Sequence, residues 1–110
     1  MDATKLANLP LRNSAKSVHL QMDLKSVERI SKAIGDPHRI KILQAVKKQG
    51  CLPCADICNM IDLTQSSISH HVKQLTDAGL LIAEKEGRNV RYTLDKKLLN
   101  EYTRFLATFA

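Results

Sequence analysis

The stretch ADICNMIDLTQSSISHHVKQLTDAGLL, residues 55–81, contains two short helical patterns separated by a turn. The apolar residues of the second pattern recur at the three- and four-residue spacing of one buried helix face: Ile68, Val72 and Leu75. Thr64 is suited to cap the start of this helix, and Gly79 is suited to end it. Because only three or four residues join the two helices, the stretch predicts a helix-turn-helix.

The other face of the second helix is polar, although serine and histidine are mediocre helix formers. Its hydrogen-bonding side chains are Gln65, Ser66, Ser67, Ser69, His70 and Lys73. The second helix of a helix-turn-helix enters the major groove of DNA, where such groups contact base edges and phosphates. A polar face is equally typical of a helix that meets only water. The pattern therefore favours DNA reading, with a solvated face as the alternative.

Residues 80–94 change from helical to strand periodicity. Apolar residues at positions 90, 92 and 94 alternate with Arg91 and Thr93, which predicts a half-buried strand. Residues 86–89 supply the turn of a hairpin, and a hairpin after a helix-turn-helix is a wing.

Two helices are predicted before the helix-turn-helix. The first carries an apolar stripe: Leu20, Leu24, Val27, Ile30 and Ile34. Gly35 ends it, and Asp36 with Pro37 begins the second. We expect the second helix to bury Ile40, Leu43 and Val46 or Ala45. Residues 1–13 are interpreted as a loose arm, and residues 14–110 as one domain.

The composition favours a polyanionic partner. The chain has 110 residues and a formal net charge of +6, which suits nucleic acid or an acidic membrane surface. No apolar run is long enough to span a membrane or to act as a signal peptide. The sequence therefore predicts a cytoplasmic protein, whose cysteines are reduced at rest.

Three segments, in this order, resemble the ArsR/SmtB family of winged-helix repressors. They are IGDPHRIKIL (34–43), the opening stretch, and KEGRNVRYTLD (85–95). Members of this family are homodimeric repressors of prokaryotes, and many release operator DNA when a metal ion, a metalloid or an oxidant binds. The resemblance implies a mainly α, dimeric winged helix-turn-helix that binds double-stranded operator DNA. It also implies that the polar residues of the second helix face the groove, while Arg88 and Arg91 contact the DNA backbone or the minor groove.

The last helix carries a broad apolar face, which includes Leu98, Tyr102, Phe105 and Phe109. Packing on the chain's own core is one interpretation of this face. The family resemblance implies a two-fold interface made with the first helix, through Leu20, Leu24 and Val27. Two recognition helices would then stand about 34 Å apart, which matches successive major grooves.

The cysteines of GCLPCADIC (50–58) resemble a sensor. Cys54 and Cys58 are one helical turn apart, and Cys51 precedes them. Three thiolates suit a soft ion such as As(III), Zn, Cd or Cu(I). The arsenic sensors of the family carry a Cys-x-Cys-Asp pattern in this helix, but here Ala55 precedes Asp56. Metal sensing, thiol redox or sulfur sensing, and simple core filling therefore remain open for the three cysteines.

Parts of the sequence are also compatible with two other functional classes. Residues 51–54, CLPC, have the Cys-x-Pro-Cys form of thiol oxidoreductases, but that motif needs a preceding strand and here a helix precedes it. No catalytic residues are therefore assigned. A ligand-independent regulator or a protein-interaction module that uses the same fold is the other alternative.

Overall fold

The computed structural model describes residues 22–110. In this range the elements are α1 (Leu24–Ala33), α2 (Pro37–Gln49), β1 (Leu52–Pro53), α3 (Cys54–Met60), α4 (Gln65–Asp77), β2 (Leu81–Glu86), β3 (Asn89–Leu94) and α5 (Lys96–Ala107). The predicted mainly helical fold with a β-hairpin is confirmed. The predicted arm at residues 1–13 and the proposed interface residue Leu20 lie outside the described residues.

Aspartates begin the first two helices. Asp23 Oδ1 accepts a backbone N–H of α1 at 2.7 Å, and Asp36 Oδ1 accepts two backbone N–H groups of α2 at 2.8 and 3.3 Å. Pro37 occupies the first turn of α2, where its missing N–H leaves no hydrogen bond unmade. The start of α2 is therefore the one that the sequence predicted.

The buried face of α2 differs from the predicted stripe. Ile42 and Val46 are fully buried and Ala45 is nearly so, whereas Ile40 and Leu43 are only half-buried. The helix packs against α4 and also against β3. Because α2 packs on two elements, its buried face is centred on Ile42, a residue that the predicted apolar stripe does not include.

The helix-turn-helix consists of α3 and α4, joined by residues 61–64. Helix α4 packs on the core through Ile68, Val72 and Leu75, which are at most 4% exposed. Gly79 follows α4 with a φ of 82°, and a Cβ built there would lie 3.0 Å from Leu98 Cδ2. Glycine therefore serves both the left-handed backbone and the close approach of α5.

The wing is the antiparallel pair β2–β3, which runs in register from Leu81 opposite Leu94 to Glu86 opposite Asn89. Strand β1 adds a third, edge position next to β3, where Leu52 pairs with Tyr92. A proline is tolerated in β1 because an edge strand needs only one side of its ladder. The sequence did not predict β1, since two residues are too few to show an alternating pattern.

Candidate nucleic-acid interface

The amino-terminal end of α4 is held by a hydroxyl cluster. Thr64 Oγ1 accepts the backbone N–H of Ser67 at 3.2 Å and donates to Ser67 Oγ at 2.9 Å. Ser66 Oγ lies 3.3 Å from the same Thr64 oxygen. Ser67 is half-buried and Ser66 is exposed. Ser67 is thus occupied in capping the helix, whereas Ser66 presents its hydroxyl to the outside.

The outer face of α4 carries most of the side chains that the sequence assigned to DNA. Those exposed are Gln65, Ser66, Ser69, His70 and Lys73. Lys73 Nζ forms an ion pair with Asp77 at 2.9 Å, but both side chains are more than 60% exposed. Such an exposed pair contributes about 1 kcal/mol or less and exchanges readily for a phosphate contact.

The wing carries two exposed arginines. Arg88 is exposed in the turn after Gly87, whose φ is 61°. Arg91 is also exposed and lies 3.5 Å from Glu86, measured between Nη1 and Oε1. Lys85 is exposed on β2 as well. The wing, whose strand β2 packs against α4, therefore exposes three cationic side chains alongside Glu84 and Glu86.

His71 is the one histidine of α4 that turns partly inward. It is half-buried, and its Nδ1 lies 3.2 Å from Arg39 Nη1 of α2. Sequence reasoning found no role for Arg39, because a contact between residues 32 positions apart leaves no mark in local periodicity.

The three cysteines are free and half-buried. Burial raises the pKa of the Cys54 thiol, and the neighbouring Cys58 raises this pKa further. Within residues 22–110, no group of three or more His, Cys, Asp or Glu side chains is arranged to hold a metal ion. The structure therefore brings Cys54 and Cys58 together on α3 but does not add Cys51 to them as a third ligand.

Cys54 also lies next to α4, the second helix of the helix-turn-helix, which is called the recognition helix below. A pocket of about 200 Å³ lies between the start of α3, α4 and the wing, and it is lined by Cys54, Ser69, Lys73 and Tyr92 among others. Two of the side chains assigned to DNA thus share a pocket with one thiol.

The apolar residues assigned to an interface have different surroundings. Leu24 is 75% exposed and Phe109 is 77% exposed, whereas Val27, Leu98 and Phe105 are half-buried. Tyr102 is buried in the chain's own core, and its hydroxyl lies 2.9 Å from Ser31 Oγ of α1. Tyr102 therefore joins α1 to α5 and has little surface left for a partner.

Comparisons with known proteins agree with this geometry. A family model described as a helix-turn-helix domain matches residues 34–84. The cadmium resistance transcriptional regulatory protein CadC of Listeria innocua is 35% identical over 89 residues, which are 80% of this chain and 75% of CadC.

Solved structures share the fold. An ArsR-like transcriptional regulator from Rhodococcus sp. RHA1 superposes with a TM-score of 0.71 at 22% identity, over 78% of this chain and 80% of that one. A homodimeric winged helix-turn-helix DNA-binding domain from Mycobacterium bovis superposes with a TM-score of 0.65 at 22% identity, over 77% of this chain and 79% of that one.

In the described part of this chain, no helix has the length and hydropathy to cross a membrane.

Proposed function

The chain belongs to the ArsR/SmtB family of winged helix-turn-helix transcriptional regulators, and we propose that it is a dimeric repressor whose helix α4 reads operator DNA. The observation that carries this proposal is the contrast between the two faces of α4. Apolar residues fix the helix to the core, while exposed hydroxyl, amide, imidazole and ammonium groups stand beside a cationic wing. Such groups are the ones that contact base edges and phosphates.

A two-fold dimer supplies the rest of the DNA-binding surface. Ser31 and Tyr102 connect the helices α1 and α5. Leu24 of α1 and Phe109, two residues after the end of α5, are large, exposed apolar side chains. Covering them with a second copy would place two recognition helices about one turn of DNA apart. We infer that the protein binds a two-fold symmetric operator in the cytoplasm.

His70 is proposed to read bases, and Arg88 to contact the DNA backbone. We expect His70→Ala to weaken operator binding by about 1–3 kcal/mol and to change binding to random DNA little, because base contacts carry the sequence information. Arg88→Ala is the matched control: it should weaken both complexes alike and reduce the slope of log K against log salt by about 1.

Mobility shifts on DNA from upstream of the protein's own gene measure both effects. Equal losses on operator and random DNA for His70→Ala would show that base reading belongs to another residue of α4.

We further propose that Cys54 and Cys58 form the inducer site, as a two-thiol site for a soft metal or metalloid ion. Thiolates are preferred ligands of such ions, and the name of the CadC relative refers to cadmium resistance. When bound, the ion would supply two strong bonds to sulfur that hold one turn of α3. Because Cys54 shares a pocket with Ser69 and Lys73, a change at the thiols would reach the DNA-facing side of α4 directly.

The second candidate is a thiol switch at the same pair. Oxidation by a peroxide would join the two sulfurs, with two electrons and two protons passing to the peroxide to give water. The proximity of the two thiols favours this alternative equally, and the raised pKa of Cys54 does not separate the two mechanisms, because the thiolate is both the nucleophile and the metal ligand.

Serine variants separate the two mechanisms. Cys54→Ser and Cys58→Ser are expected to bind DNA like the wild type and to remain bound when Cd²⁺ or arsenite is added. Cys51→Ser is the matched control and should respond like the wild type, because Cys51 does not join the pair. Anisotropy of labelled operator DNA, titrated with each ion and separately with peroxide, measures the response.

If peroxide alone releases the wild-type protein from DNA and reduction restores binding, the pair is a thiol switch and the ion site is contradicted. Wild-type protein that stays bound under every condition would contradict both mechanisms and leave the cysteines as core residues. A response lost in Cys51→Ser would contradict the two-thiol site.

A further inference from the structure

We propose that Arg39 is a positioning residue for operator reading, because its guanidinium holds His71 of α4 in the neutral form and so fixes the orientation of the recognition helix. This inference rests on the proposed DNA-binding function. It assigns a role in operator reading to Arg39, a residue that does not contact DNA in the proposed interface.

The guanidinium of Arg39 joins three helices. Its Nε donates to the carbonyl oxygen of Ala33 at 2.6 Å, and its Nη2 donates to that of Lys32 at 3.1 Å. Both carbonyls belong to the last turn of α1, where helix carbonyls lack partners within the helix. The remaining nitrogen, Nη1, lies 3.2 Å from His71 Nδ1. Arg39 thus ties the end of α1 and the start of α2 to the middle of α4.

The contact specifies the protonation state of His71. A guanidinium has only N–H donors and no acceptor, so His71 Nδ1 must accept the hydrogen bond. The imidazole is therefore neutral and carries its proton on Nε2. Protonation at Nδ1 would turn the acceptor into a donor and would place two cations 3.2 Å apart.

The charged and titratable groups around His71 come from α2 and α4. His38 and Arg39 of α2 and Asp36, which caps α2, face His71, and His70 is its neighbour on α4. The centroid of the His71 ring lies 5.7 Å from that of His38 and 6.0 Å from that of His70. Burial lowers the pKa of His71, Asp36 acts in the opposite direction, and the three basic neighbours lower the pKa further. The neutral ring therefore persists to lower pH than an ordinary histidine.

The position of His71 in α4 connects this contact to base reading. His71 lies between His70, which is exposed on the outer face, and Val72, which is buried beneath. Loss of the Arg39 contact removes the polar link from this side of α4 to the end of α1 and the start of α2, while the apolar face of α4 still packs on the core. Because productive contacts need side chains held within fractions of an ångström, operator affinity should fall more than affinity for random DNA.

Only the neutral form of His71 can accept the hydrogen bond from Arg39, and this determines the direction of the pH effect. The contact is intact above the pKa of His71 and is lost as the pH falls through it. Operator selectivity, which is the ratio of affinities for operator and random DNA, should therefore decrease on acidification. A pH effect that originates at another residue would persist in a variant whose residue 71 does not titrate.

The test compares His71→Asn with His71→Phe in the full chain. The asparagine Oδ1 occupies about the position of Nδ1 and accepts a hydrogen bond, yet it does not titrate. The phenylalanine keeps a ring but has no acceptor. Affinities are measured between about pH 5 and pH 8, for the tightest duplex recovered from a randomised pool and for its scrambled sequence.

We expect the selectivity of the wild type to fall about tenfold or more on acidification, which is the size of one charge-assisted hydrogen bond. His71→Asn should keep high selectivity at every pH, and His71→Phe should have low selectivity at every pH. Arg39→Lys should resemble His71→Phe, because an ammonium group cannot replace the planar fork. His38→Asn is the matched control and should keep the pH dependence.

Nitrogen NMR of the imidazole gives a readout that needs no DNA, and an unprotonated Nδ1 at neutral pH supports the inference. A proton on Nδ1, or a His71→Phe variant with the selectivity of the wild type, overturns it while DNA binding itself stands. A wild type that binds no duplex at any pH overturns the proposed function and this inference with it.

Discussion

Phe105→Asp is expected to convert the protein from a dimer to a monomer and to weaken operator binding by about 10²–10⁴-fold. The rings of the half-buried Phe105 of α5 and the exposed Phe109, just after α5, pack edge to face with centroids 5.5 Å apart. Leu106 and Leu24 add apolar surface that is 45% and 75% exposed in the single chain. A carboxylate in this region would have to be buried without a partner, which opposes association.

The loss of DNA affinity follows from the loss of the second half-site contact. Once one recognition helix is bound, the other binds its half-site at a high effective concentration, and a monomer loses this advantage. Asn100→Asp is the matched control, because it adds the same charge at an exposed position of α5. It should leave the mass and the DNA affinity unchanged.

Light scattering at micromolar concentration and binding to duplexes with one and with two half-sites measure the effect. A wild type with monomer mass, or a Phe105→Asp variant with dimer mass, would contradict the proposed interface. A monomeric variant that still prefers the two-half-site duplex would contradict the two-fold model of operator binding.

Ile68→Ala is expected to lower the free energy of unfolding by about 2–5 kcal/mol and Tm by at least about 10 °C. Ile68 is fully buried and lies on the inner face of the recognition helix. Its truncation removes apolar contacts and leaves a cavity between α4 and the core, which close packing cannot refill completely.

Ser69→Ala is the matched control, one residue further along α4. Ser69 is exposed, so its substitution should change the free energy of unfolding by less than about 0.5 kcal/mol. Chemical denaturation at equal protomer concentration compares the two variants, since dimerisation makes stability depend on concentration. Equal destabilisation by both variants would contradict the division of α4 into a buried and an exposed face.

The features that were predictable from the sequence are those with local causes. Thr64 and Asp36 cap helices that the three- and four-residue spacing already indicated, and Gly79 lies at a positive φ where the helical pattern stops. The exposed face of α4 was equally predictable from the sequence, because a helix that buries one side at Ile68 must expose the opposite side.

The features that were not predictable depend on distant residues. Ile42 is buried because α2 packs on both α4 and β3. Tyr102 lies in the chain's own core, where it packs with apolar residues from several elements, and its hydroxyl lies 2.9 Å from Ser31 Oγ. The contact of Arg39 with His71 likewise joins segments whose proximity only the fold creates. Whether Cys51 joins Cys54 and Cys58 likewise depends on the path of the chain before Pro53, which their spacing does not specify.

The central claim is that α4 reads a DNA sequence while the cationic wing supplies backbone attraction. The most direct measurement is the affinity of the wild type for a duplex from its own promoter region and for a scrambled duplex, over a series of salt concentrations. We predict that both affinities fall steeply with salt, and that the promoter duplex binds about 10³-fold or more tightly than the scrambled one at physiological salt. Equal affinities for the two duplexes at every salt concentration, or no binding to either, would contradict the claim.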